Sequence, residues 1–159
     1  MQLYFAYGSN MDEVQMRARC SGSRFECVAR LENYRLCFPR HSQKRHGGVS
    51  SIEQALGMTV WGVVYQIPDS QILSLDGCEG YQEGRPAEQN AYNKVFMDVE
   101  DTAGHKRVCR VYIANVQGQH LPSQKYYMSC IIRGAEQHEP QGIPSEYVEE
   151  LRRIKTLED

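Results

Sequence analysis

An α+β fold is predicted for this chain: a small, mostly antiparallel, β-barrel-like sheet with flanking helices. Three observations predict it. From Gln2 to about Asn115 most segments alternate, or run in β-branched and aromatic residues, as strands do. The turns between them are short, which favours antiparallel neighbours over parallel ones. Helical spacing is concentrated in the C-terminal quarter.

The elements follow in order. "QLYFA" opens as a strand, and Asp12 can cap a short helix through Arg17 with Val14 and Met16 as its apolar residues. "RFECVAR" alternates Phe25, Cys27 and Ala29 against polar neighbours; "YRLCF", "VSSI" and "TVWGVVYQI" read as further strands. Pro68-Asp69-Ser70 introduce a short helix, "QILSLDG", in which Ile72, Leu73 and Leu75 share a face and Gly77 ends it. "YNKVFMDVE" and "RVCRVYIA" flank "EDTAGHK", whose turn chemistry predicts a hairpin. Two helices close the chain: "PSQKYYMSCIIRGA", ending at Gly134, and "PSEYVEELRRI", with Tyr147 or Val148, Leu151 and Ile154 at helical spacing. Pro39–Gly48, Gly80–Ala91 and Gln117–Leu121 are left as loops, the first two long enough to carry a site.

The chain has 159 residues, 41% hydrophobic and 24% charged, which fits one soluble domain, residues 1–159, with a real core. Its net charge of −2 argues against a nucleic-acid partner. No apolar stretch approaches the ~18–20 residues that span a bilayer, so no membrane partner is expected. No secretory leader pattern is visible, and a cytoplasmic protein is expected. The six cysteines (Cys20, Cys27, Cys37, Cys78, Cys109, Cys130) contain no C-x-x-C pair. They read as free thiols, without metal-ligand spacing.

Three stretches could carry chemistry. In "YFAYGSNM" a strand runs into Gly8, Ser9 and Asn10 just before a helix start, where backbone N–H groups can hold an anion. On residue type alone, an empty strand-to-helix turn is the commoner meaning of such a tripeptide. In "SLDGCEGY", Glu79 stands among small and apolar neighbours, a setting that raises a carboxyl pKa and suits a general base and acid. A solvated surface Glu explains the same residues, and Asp76 reads as a helix-end or surface charge. "PRHSQKRHGG" gathers Arg40, His41, Lys44, Arg45 and His46 and could attract an acidic substrate, although a solvated loop is the simpler reading. No Cys stands in a recognisable nucleophile context.

Taken together, "YFAYGSNM", "CVARLENYRLCF", "RHGGVSSI", "VWGVVYQI", "SLDGCEGY", "PSQKYY…IIRGA" and "IPSEYVEELRRI" resemble, in order and nearly end to end, the gamma-glutamylcyclotransferase family. The resemblance implies a barrel-like sheet with flanking helices and release of 5-oxoproline from a small-molecule gamma-glutamyl substrate. It also implies no metal or organic cofactor, and a homodimer. It makes Glu79 the proton shuttle and aligns Tyr4, Phe5, Ala6, Tyr7, Gly8, Ser9 and Asn10 with the loop that holds the glutamyl group. A substrate-contacting Tyr belongs at the start of the "PS…GA" helix, where Tyr126 and Tyr127 compete because this chain has one extra residue there. Counting back from Gly134-Ala135 selects Tyr127; counting from Pro122-Ser123 selects Tyr126. The Gly80–Ala91 loop is longer than the pattern. A non-catalytic domain that binds a gamma-glutamyl or acidic ligand is the rival reading, since fold alone does not decide activity.

Overall fold

The computed structural model describes all 159 residues. Five strands close into a barrel: β1 (Gln2–Ala6), β2 (Arg24–Ser42), β3 (Gly47–Ile67), β4 (Tyr92–Asp101) and β5 (Lys106–Ala114), in the spatial order β1-β3-β2-β4-β5. All neighbours are antiparallel except β1 and β5, which meet in parallel through Tyr4 and Arg110 and close the seam. Period-2 alternation explains the two cores. Phe5, Ala29, Leu31, Val64, Val99 and Val111, from all five strands, fill the barrel interior. Tyr4, Ala6, Val28, Val63 and Tyr65, on the opposite face, pack beneath the helices against Met11, Met16, Leu75, Ile131 and Leu151.

Four helices flank the barrel: α1 (Glu13–Arg19), α2 (Ile72–Cys78), α3 (Ser129–Gln137) and α4 (Ser145–Arg152). Asp12 caps α1, its side chain accepting from the Val14 N–H at 3.4 Å. Val14 and Leu73, assigned to apolar faces from sequence, are exposed; α1 buries Met16, and α2 buries Ile72 and Leu75.

Several boundaries differ from the sequence reading. "RFECVAR" and "YRLCF" form one 19-residue strand, and "VSSI" and "TVWGVVYQI" one 21-residue strand, with register shifts where the breaks were placed. Bulges bend such long strands without ending them. Pro39–Gly48 is therefore not a loop: Arg40, His41 and Ser42 pair with Val49, Gly48 and Gly47, leaving a tight turn over residues 43–46. α2 passes through Gly77 and stops where Gly80 takes φ +63°. α3 passes through Gly134, whose smallness serves contact: a Cβ there would lie 2.5 Å from the Asp12 backbone nitrogen and 2.7 Å from the Met11 carbonyl carbon.

Candidate active site

At the end of β1 the chain leaves the sheet through Tyr7 and Gly8 and turns tightly over Ser9–Met11. The first internal bond of this turn runs from the Met11 N–H to the Gly8 carbonyl at 3.1 Å. The Ser9 and Asn10 N–H groups precede it and have no acceptor within the turn. The loop is held from behind by α3. Arg133 and Gln137 donate to the Asp12 carboxylate at 2.8 and 3.0 Å, and the His138 ring lies 3.2 Å from the Met11 carbonyl.

A cavity of about 210 Å³ opens beside this loop. Tyr4, Tyr7, Gly8, Ser9 and Asn10 line it, as do Glu79 and Tyr127. Phe5 and Ala6 do not. Strand alternation sends Phe5 into the barrel interior, and Ala6 packs beneath the helices. Asn10 connects the two halves of the site: its Nδ2 donates to the Tyr4 hydroxyl at 3.0 Å and reaches Glu79 Oε1 at 3.4 Å. Its Oδ1 accepts from Gln15 and Arg19 at 2.9 and 3.0 Å, which fixes the amide orientation.

Glu79 caps α2, its N–H bonded to the Asp76 carbonyl at 3.1 Å. Burial pushes its carboxyl up to about 7; Arg19 and Arg45 pull the other way, and Asp76 adds to the rise. A carboxyl poised there can both take and return a proton near neutrality. Burial also raises the Tyr4, Tyr7 and Tyr127 hydroxyls, so these stay protonated donors.

The two competing tyrosines separate cleanly. Residues Gln124–Met128 form a π-helical turn ahead of α3, with the Met128 N–H bonded to the Ser123 carbonyl five residues back at 2.9 Å. This wide turn accommodates one residue more than an α-turn. Tyr127 is buried, and its hydroxyl accepts from the Ser50 N–H at 2.8 Å and lies 2.6 Å from Ser50 Oγ. Tyr126 is exposed and stacks on His46, centroids 4.0 Å apart, outside the cavity.

Other cavity residues escaped the sequence reading as site members. Arg19 is the last residue of the short α1, and Ser50 and Tyr92 lie within strands, with the Tyr92 hydroxyl donating to the Ser50 carbonyl at 2.6 Å. Of the basic side chains in residues 39–48, Lys44 and Arg45 reach the cavity and Arg40, His41 and His46 do not. Arg45 donates to Gln15 Oε1 at 2.6 Å and lies over the Tyr127 ring. Asp76 is not a surface charge: it is 3% exposed and paired with Arg110.

Among known proteins, the AIG2-like family model matches residues 59–151. The mouse protein named gamma-glutamylcyclotransferase is 35% identical over 160 aligned residues, covering 98% of this chain and 80% of that protein. The human protein of the same name is 35% identical, covering 96% of this chain and 78% of its own length. A solved structure named gamma-glutamyl cyclotransferase superposes with a TM-score of 0.87 at 33% identity, covering 99% of this chain and 90% of that one. Likeness of this extent in both sequence and barrel places the chain in the AIG2-like family, as a member of its gamma-glutamylcyclotransferases.

Proposed function

We propose that this chain cyclises gamma-glutamyl compounds, releasing 5-oxoproline and the free amine, with Glu79 as general base and then general acid. The observation that carries this reading is the Glu79 carboxyl at the cavity wall, 3.4 Å from the Asn10 amide and held near a pKa of about 7. The substrate brings its own nucleophile. Its α-amino group, once deprotonated, attacks the γ-carbonyl and closes a five-membered ring, so no enzyme Ser or Cys is required. Glu79 takes the ammonium proton; the tetrahedral intermediate then collapses with cleavage of the C–N bond, and Glu79 returns the proton to the departing amine. The Ser9 and Asn10 N–H groups face an anionic part of the substrate. The cavity holds the chain curled, which supplies much of the acceleration of an intramolecular reaction.

The direct test is incubation with a panel of gamma-glutamyl amino acids and amines, with 5-oxoproline as the readout. Absence of release from every member would overturn the reading.

Two predictions follow from the site. Glu79 must be ionised to accept the ammonium proton, and its carboxyl titrates at about 7. The kcat/KM profile should therefore climb about tenfold per pH unit below that value and flatten above it. A profile already flat at pH 5 would remove Glu79 as the base. Tyr127→Phe removes a buried hydroxyl bonded to Ser50 at the cavity wall, a loss of about 1–3 kcal/mol. Its kcat/KM should fall roughly tenfold or more, whereas Tyr126→Phe should be near neutral. Steady-state kinetics of the two variants side by side checks the ranking, and the reverse order would contradict the placement of Tyr127.

A further inference from the structure

α2 is only seven residues long and buries just Ile72, Leu75 and Asp76. Two apolar side chains are a weak constraint on how such a helix rotates, yet its last turn carries Glu79. Ser74 adds one exposed hydrogen bond to the Arg19 carbonyl at 3.1 Å, and the remaining buried constraint is ionic. Arg110 on β5 donates through Nη2 to both Asp76 carboxylate oxygens, at 3.0 and 3.2 Å, with both side chains 4% exposed. The Tyr112 hydroxyl donates to Asp76 Oδ1 at 2.5 Å, and Arg110 Nη1 donates to Gln2 Oε1 at 2.9 Å. Asp76 thus faces two ways. Its carboxylate is fixed to the barrel seam, where Arg110 pairs with Tyr4, while its main-chain carbonyl accepts the Glu79 and Tyr81 N–H groups at 3.1 and 3.0 Å. A buried ion pair of this kind adds little net stability over an apolar pair of similar volume, so stability alone does not explain it.

We propose that the buried Asp76–Arg110 pair is a positioning device that pins the end of α2 to the barrel and thereby aims the Glu79 carboxyl into the cavity. The proposal rests on the reading of Glu79 as the proton shuttle. The titratable and charged groups that line the cavity with that carboxyl are Arg19 from α1, Lys44 and Arg45 from the β2–β3 turn, Cys78 from α2, Tyr4 and Tyr7 from β1 and its extension, Tyr92 from β4, Tyr112 from β5 and Tyr127 ahead of α3. Asp76 is the one other carboxylate acting on Glu79, and its charge favours the protonated form.

Two variants separate positioning from mere stapling. Asp76→Asn should lower kcat ten- to hundredfold with KM within about twofold, because misplacement by about 1 Å has that effect. It should also move the acid limb of kcat/KM to lower pH, since a negative charge is lost and Arg110 is left uncompensated. The double variant Asp76→Leu/Arg110→Met replaces the pair with apolar bulk; it should melt at or above the parent temperature and remain at least tenfold slower. A double variant with parental melting and parental kcat would overturn the proposal, as would an Asp76→Asn enzyme with unchanged kcat and acid limb. A carbon-13 NMR titration of the Glu79 carboxyl, parent against Asp76→Asn, reads the coupling without turnover. A titration moved to lower pH supports the coupling and an unmoved one overturns it. Lack of 5-oxoproline release by the parent would count against the functional reading, with the NMR result still deciding the coupling.

Discussion

Glu79→Gln should lower kcat by about 10²–10⁴ while the barrel and ligand affinity remain intact, because the amide keeps the shape of the carboxyl but cannot carry the proton. Asn10 still meets an oxygen if the new amide turns its carbonyl toward Nδ2, which now lies 3.4 Å from Glu79 Oε1. The same substitution has a signature in stability. Burial raises the Glu79 carboxyl from an ordinary 4.5 to about 7, so between these values the native chain binds more protons than the unfolded chain. Native stability therefore falls as pH rises through that window. Glu79→Gln, which lacks the ionisation, should melt higher than the parent at pH 8, with the difference disappearing toward pH 4. Thermal melts across that range, with kcat from single-turnover assays, check both halves. Near-parental turnover would exclude Glu79 as the proton shuttle.

Gly8→Val should reduce kcat/KM by about a hundredfold or more. The reason is space. Gly8 has φ −116°, a value open to any residue, but a Cβ there would lie 2.6 Å from Ser50 Oγ and 3.7 Å from the Tyr127 hydroxyl. A branched side chain would push Ser50 away and break the bonds that hold Tyr127 and Tyr92. Overpacking of this kind destabilises by about 1–3 kcal/mol, so circular dichroism and melting must accompany the kinetics. A folded Gly8→Val enzyme with parental rate and affinity would show that the turn does not touch the substrate.

The strands of the barrel were legible because β-branched and aromatic runs mark them, and the ends of β1, β4 and β5 fall close to where alternation places them. The continuity of β2 and β3 was not legible: Asn33, at φ 65°, and the residues opposite it read as a break, whereas the sheet absorbs them as a bulge. Leu73 looked like a core residue because helical spacing alone cannot say which side of a short helix meets the sheet. In the site, the contiguous Gly8-Ser9-Asn10 stretch and the isolated Glu79 stood out as local patterns. Arg19, Ser50 and Tyr92 did not, since each reaches the cavity from an element whose own sequence has no reason to single it out. Asp76 was misjudged because its partner lies 34 residues away on β5.

The π-helical turn over Gln124–Met128 has room for one residue more than an α-turn of the same span. It works as an expansion joint. A change of chain length upstream of Tyr127 should be taken up in this widened loop of backbone, leaving the Tyr127 hydroxyl at Ser50. Removing Lys125, which is exposed and lies within the joint, should tighten it to an ordinary α-turn without moving the tyrosine. One residue lost after Tyr127 would instead rotate that ring about 100° relative to Ile131 and Ala135, which hold the helix to the core. A change of length should therefore be tolerated on one side of this tyrosine and disruptive on the other.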